Sequence, residues 1–172
     1  MYWGMFAAQW LHVLLGTFWF GWILGVDFIL IPALSGWPVE RRHEAVERIA
    51  RHAVRLVRPA AILTILTGIL RGIVWGRIRS VTVLFETRYG VAWLVALVAA
   101  SVTFAWAELV VRPAVERLRE IETAEIAASS AAPAAPDAGG PAGQLGKVRL
   151  FALLELLGLL VVFTAMILMS FS

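Results

Sequence analysis

Long apolar stretches separated by arginine-rich segments dominate the chain. Four of these stretches are long enough for a membrane-spanning helix, which needs about 20 predominantly apolar residues. They cover residues 3–33, 56–75, 89–111 and 149–171. The first is longer than a bilayer requires, so we expect it to tilt or to project. The pattern predicts an all-α fold, an integral membrane four-helix bundle formed by a single membrane domain over residues 1–172.

Two connecting segments have patterns of their own. In residues 39–57, apolar positions recur at spacings of three and four, with arginines and glutamates on the other faces. This period predicts an additional interfacial amphipathic helix along the inner membrane surface, before the second span. Residues 127–146 are rich in Ala, Pro and Gly. Because such a segment buries too little apolar surface to offset its ordering entropy, we expect a flexible cytoplasmic linker there.

Composition and charge agree with a membrane location. Of the 172 residues, 60% are hydrophobic and 16% charged, against about 45–50% and about 25% in soluble domains. Of the 15 basic residues, 11 lie on one side of the predicted membrane and 4 on the other. Since basic loops stay in the cytoplasm, we expect loops 34–55 and 112–148 inside and both termini outside the cell (inner) membrane. The lipid bilayer is thus the expected partner, and nucleic acid is not.

Recognisable catalytic motifs do not appear in the sequence. The absence of cysteine excludes disulfides, thiolate metal sites and a cysteine nucleophile. Neither an HExxH or GxSxG motif nor a phosphate-binding glycine loop is present. Whether the chain is an enzyme therefore stays open. Gly21 and Gly25 form a GxxxG motif, which favours close helix packing within the bundle or in a dimer.

Each predicted span carries charge near the expected inner face. The residues concerned are Asp27, Arg58, Glu108, Arg112 and Glu155. Ionisable side chains at membrane depth must face protein or water, so we expect Asp27 or Glu155 to pair with Arg58 or Arg112. Two interpretations remain, a structural ion-pair network that fixes helix register and a proton route or lipid-headgroup site.

The expected outer half of the bundle carries a different set of residues. His12 is the one histidine within a predicted span, and Met5, Met166 and Met169 fall near the same face. Neutral imidazole suits haem iron and copper, while thioethers suit Cu(I) or the second axial position of a haem. Alternatively, His12 makes an interhelical hydrogen bond and the methionines are ordinary packing residues.

Three short motifs within residues 8–112 resemble a known group of membrane proteins. They are "WLHVLLGTFWFGWILG", "RPAAILTILTGIL" and "TRYGVAWLVALV". Together they resemble the copper-resistance D (CopD) type, its four-span bacterial relatives and, more distantly, the HemJ-type protoporphyrinogen oxidases. The resemblance implies a helix bundle that handles copper or uses haem b, with His12 at the position of the family's first-span histidine. Ala96 stands where the family often has a lysine, which argues against the HemJ-type oxidase reaction.

Three functions follow as hypotheses. The first is a haem b-binding redox or electron-transfer protein with His12 as axial ligand and Met166 or Met169 opposite. The second is copper binding or transport at the outer face through His12, Met5, Met166 and Met169. The third is a non-catalytic membrane component whose partner contacts the amphipathic helix. A redox partner and a homo-oligomer are both compatible with the sequence.

Overall fold

The computed structural model describes residues 2–129 and 141–171, and all regular elements in those ranges are helical. Within them, four helices are long and apolar enough to cross a membrane, which confirms the predicted all-α four-helix bundle. These candidate spans are Trp3–Ser35, Glu40–Trp75, Arg88–Ala124 and Gly146–Ser170. The α-helices are α1 (Tyr2–Gly25), α2 (Ile31–Ser35), α3 (Val39–Leu70), α4 (Val81–Glu86), α5 (Arg88–Trp106), α6 (Arg112–Ser129) and α7 (Pro141–Ser170).

The two ends of the bundle differ. Helix α1 packs mainly against α3, and α5 mainly against α7. We name the end at which α1 begins and α7 ends the terminal end, and the opposite end the extended end. The 36-residue span Glu40–Trp75 is about 54 Å long at about 1.5 Å per residue, whereas the hydrocarbon core of a bilayer is about 30 Å thick. Because the charged half of this span lies at the extended end, α3 projects beyond a bilayer there.

Apolar side chains cover the outside of the bundle, and polar side chains lie inside it. Phe28 and Leu109 are more than half exposed along the spans, whereas His12, Thr103 and Glu155 are buried. In water this distribution would expose a large apolar surface. In lipid it places the apolar surface against acyl chains and the polar groups against protein. The distribution therefore supports a lipid environment.

A small core separates the two ends of the bundle. It consists of Trp19, Ile23, Ala61, Leu156 and Leu159, contributed by α1, α3 and α7. Ala61 is 1% exposed, and its small side chain lets α3 approach α1 closely. Along the helices, the core lies between the histidine at the terminal end and the charged residues at the extended end.

In the described ranges, three π-helical turns lie within or at the end of a span, at Val26–Leu30, Arg71–Trp75 and Ala107–Val111. Pro32 and Pro113 follow the first and the third of them. A proline within a helix lacks the N–H donor, and its ring clashes with the carbonyl four residues earlier. A wider π-helical turn just before the proline accommodates both effects. Asp27 and Glu108 consequently lie on π-helical turns, where the helix is locally rotated relative to a regular α-helix.

The amphipathic segment 39–57 and the second span form one helix rather than two. Helix α3 continues through Pro59 without a break, and its first half packs against α6 at the extended end. An apolar stripe has the same period whether it packs against protein or lies on a membrane surface. The pattern alone therefore could not distinguish packing against α6 from an interfacial location. The expected loops 34–55 and 112–148 are accordingly helical over most of their described length.

The predicted linker, residues 127–146, is only partly described. Residues 130–140 lie outside the described residues. Residues 127–129 end α6 and residues 141–146 begin α7, so both flanks of the predicted linker are helical.

Candidate functional site

A cavity of about 410 Å³ lies between α1, α3, α5 and α7 at the terminal end of the bundle. Its lining is mostly apolar and aromatic, and all four spans contribute to it. The polar and ionisable side chains among the lining residues include His12, Arg71, Tyr89 and Trp93. Because each wall comes from a different span, the cavity requires the assembled bundle.

His12 is held in one orientation at the wall of this cavity. Its Nδ1 atom lies 2.9 Å from the carbonyl oxygen of Thr64 and 3.1 Å from Oγ1 of Thr67. A carbonyl oxygen can only accept, so Nδ1 carries the proton and donates it. The neutral imidazole then has its lone pair on Nε2. Histidine ligands of metals are commonly fixed in this way, with the other ring nitrogen donating to a carbonyl.

The threonines that hold His12 satisfy their own hydroxyl groups within α3. Thr67 Oγ1 donates to the carbonyl oxygen of Leu63 at 2.6 Å, and Thr64 Oγ1 donates to that of Ala60 at 2.8 Å. The Thr67 oxygen consequently remains an acceptor for His12. The sequence signal for this role is a pair of threonines three residues apart within an otherwise apolar span, and the expectations for His12 did not include it.

Two glycines without side chains, Gly68 and Gly72, allow His12 and Trp93 to approach the second span closely. A Cβ atom on Gly68 would lie 3.1 Å from Cε1 of His12, and one on Gly72 would collide with the Trp93 indole ring. Trp93 Nε1 also donates to the carbonyl oxygen of Gly68 at 3.3 Å. Gly68 and Gly72 are four residues apart, so this second GxxxG motif is the one that packs against other helices of the chain.

The first GxxxG motif does not pack within the described residues. A Cβ atom on Gly21 or Gly25 would meet no atom of the described chain within 4 Å. The interpretation of this motif as a site of close packing inside the bundle is therefore wrong for the chain as described.

The methionines predicted near His12 divide into two groups. Met166 and Met169 line the same cavity as His12, because they are one turn apart on the face of α7 that points inward. Met5 does not line the cavity and is exposed near the start of α1. In the described part of the chain, no group of three or more His, Asp or Glu side chains is arranged to hold a metal ion. The soft donors at the cavity are thus His12 with two thioethers.

The charged residues at the extended end form a network centred on Glu108. Arg58 Nε lies 3.4 Å from Glu108 Oε1, and Arg112 Nη1 lies 3.2 Å from Glu108 Oε2. Arg112 also pairs with Glu116 at 3.2 Å. Three of the five residues predicted for this network are therefore joined, and they connect the second span to the third.

Asp27 and Glu155 do not take part in that network, so the predicted pairing of either acid with Arg58 or Arg112 is wrong. In the described residues, both arginines pair with Glu108 instead, which the π-helical turn Ala107–Val111 presents to them. Glu155 is 8% exposed, and Asp27 Oδ2 is buried without a hydrogen-bond partner among the described residues. The two carboxyl groups repel each other between the π-helical turn Val26–Leu30 and α7, and the Arg149 cation attracts Asp27.

A further ion pair at the extended end was missed by the sequence analysis. Glu122 of α6 is 5% exposed and accepts a hydrogen bond from Arg42 Nη2 at 2.8 Å. His43 Nδ1 lies 3.5 Å from the same carboxylate. These contacts join the first half of α3 to α6. His52 faces away from this group and hydrogen-bonds to the Arg48 carbonyl oxygen at 2.9 Å, far from His12 along the bundle.

Comparison of the chain with protein-family models, with curated proteins and with solved structures found no match.

Proposed function

We propose that this protein is a membrane-embedded electron-transfer protein that binds haem b in the cavity at the terminal end, with Nε2 of His12 as an axial ligand. The observation that carries this proposal is the fixed orientation of His12, whose Nδ1 donates to the Thr64 carbonyl oxygen beside the cavity. An imidazole held in this way offers its second nitrogen to a metal without reorganisation.

The cavity suits a flat, largely apolar cofactor better than a bare ion. Its volume of about 410 Å³ falls within the range of about 300–1,000 Å³ that is usual for small-molecule sites. Its lining includes the aromatic side chains of Trp19, Phe20 and Trp93. Met166 and Met169 are the candidates for the second axial position. When bound, haem would supply one-electron redox chemistry, which the protein tunes through the axial ligands and the apolar surroundings.

Copper binding is the second candidate function. His12, Met166 and Met169 line one cavity, and an imidazole with two thioethers is a soft donor set that favours Cu(I). Under this alternative, a copper ion rather than a porphyrin would bind at the wall of the cavity. The rest of the cavity would then be the route by which the ion reaches the site.

The orientation of the chain is part of the proposal. We place it in the inner membrane with the extended end in the cytoplasm and both termini outside, because 11 of the 15 basic residues belong to the extended end. The cofactor would then lie in the outer half of the membrane. Its redox partner would meet the protein at that face.

Purified protein tests the choice of cofactor directly. We expect the full chain in detergent to show a Soret absorption band and stoichiometric iron. The variant His12→Ala should lose this band, while His52→Ala should keep it because His52 lies at the extended end. Colourless protein with stoichiometric copper would favour the second candidate. A His12→Ala variant that folds and retains its full haem or copper, or a wild-type protein that binds neither, would contradict the proposal.

A further inference from the structure

Arg71 is the cationic group at the cavity. It begins the π-helical turn Arg71–Trp75 at the terminal end of α3, where it is half-buried, lines the cavity and interacts electrostatically with His12. A guanidinium group held between spanning helices loses part of its hydration, and an anionic partner offsets that loss.

The described residues do not supply that partner. Arg42, Arg48, Arg58 and Arg112 meet glutamates at the extended end, whereas Arg71 forms no such pair within the described residues. Glu86 is the sole carboxylate near the terminal end in the described ranges, and it is exposed at the end of α4 without an ion pair to Arg71. Arg71 thus lines a mostly apolar cavity, and no carboxylate of the described residues pairs with it.

We propose that Arg71 binds a carboxylate group of the ligand in the cavity, so that the site takes an amphipathic anion with its apolar body against the aromatic lining. This inference rests on the proposed function, in which the carboxylate is a haem propionate. A planar guanidinium binds a carboxylate through two parallel hydrogen bonds, which gives orientation as well as affinity. The ligand would then be fixed at two points, because His12 would bind its metal and Arg71 its carboxylate.

A pair of ligands that differ only at the two propionate groups tests this inference. Full-length protein in neutral detergent is titrated with haemin and with haemin dimethyl ester, which keeps the iron and the ring but lacks the carboxylates. We expect wild-type protein to prefer haemin. Arg71→Gln should weaken haemin binding about tenfold to a hundredfold, as expected for loss of a charge-assisted hydrogen bond, and leave the affinity for the ester within about twofold. Arg79→Gln, at an exposed position of the same end, serves as the matched control and should change neither affinity.

The outcomes separate this inference from the proposed function. Equal affinity of wild-type protein for the two ligands, or an equal loss of both in Arg71→Gln, would overturn the role of Arg71 while haem binding stands. Binding of neither ligand by wild-type protein would overturn both proposals.

A lipid phosphate is the other source of an anionic group. Unfolding temperatures are therefore compared in phosphatidylglycerol and phosphatidylcholine nanodiscs. If phosphatidylglycerol stabilises wild-type protein but not Arg71→Gln, and the haemin affinity of Arg71→Gln equals that of wild-type protein, Arg71 binds lipid. The inference is then wrong.

Discussion

At the residue scale, the orientation of His12 depends on two features of α3, its hydrogen-bond acceptors and a glycine that leaves space for the ring. Thr64 and Thr67 supply the acceptors for Nδ1, and Gly68 leaves the space that the imidazole ring occupies. The presence of one histidine at membrane depth could be recognised from the sequence, because polar residues are rare there. Its acceptors could not, since Thr64 and Thr67 are 52 and 55 residues away along the chain.

Substitution of Gly68 by alanine tests this arrangement. A Cβ atom there would lie 3.1 Å from Cε1 of His12, so the ring must shift by a few tenths of an ångström while Nδ1 is held by Thr64 and Thr67. We expect Gly68→Ala to lower the free energy of unfolding by about 1–3 kcal/mol, the usual cost of overpacking, and to weaken cofactor binding. Gly21→Ala is the matched control and should be neutral or stabilising, because a Cβ at that position meets no atom of the described residues within 4 Å. Unfolding in mixed micelles measures both variants, and equal effects would contradict the role of Gly68.

At the element scale, the π-helical turns and the length of α3 are what the hydrophobic pattern could not reveal. Apolar runs of about 20 residues identified the four spans, but a π-helical turn adds one residue to a turn without changing that pattern. The turn Ala107–Val111 places Glu108 against Arg58 and Arg112. Asp27 instead lies near the Glu155 carboxyl group and the Arg149 cation. A common depth along the membrane therefore did not determine which charges meet.

The pairing of α3 with α6 has its own test. Glu122 is buried between Arg42 and His43, so Arg42→Glu would bring two carboxylates together and should lower the free energy of unfolding by about 1–3 kcal/mol. Adding Glu122→Arg should restore part of this loss. The control is Arg48→Glu, which breaks an exposed pair with Glu44 and should cost less than about 1 kcal/mol. If Arg42→Glu and Arg48→Glu have the same effect, the first half of α3 lies on the membrane surface, as its amphipathic pattern predicts.

At the scale of the whole molecule, the bundle is polar at both ends and apolar around its middle. The number of spans followed from composition, because a chain that is 60% hydrophobic and 16% charged has no soluble arrangement for four long apolar helices. The cavity did not follow from composition, since its walls combine residues of four separate spans. Its place in the cell depends on which end of the bundle faces the cytoplasm.

The orientation of the chain in the membrane can be tested by thiol labelling. The sequence has no cysteine, so an introduced cysteine is the one thiol of the chain that a maleimide can label. Thr82 is exposed on α4 at the terminal end, and Thr123 is exposed on α6 at the extended end. Because 11 of the 15 basic residues belong to the extended end and positively charged segments are retained in the cytoplasm, we expect a membrane-impermeant maleimide to label Thr82→Cys in intact cells. Thr123→Cys should be labelled only after the membrane is opened. The reverse result would place the cavity with His12 and Arg71 in the cytoplasmic half of the membrane, and a redox partner would then have to be a cytoplasmic one.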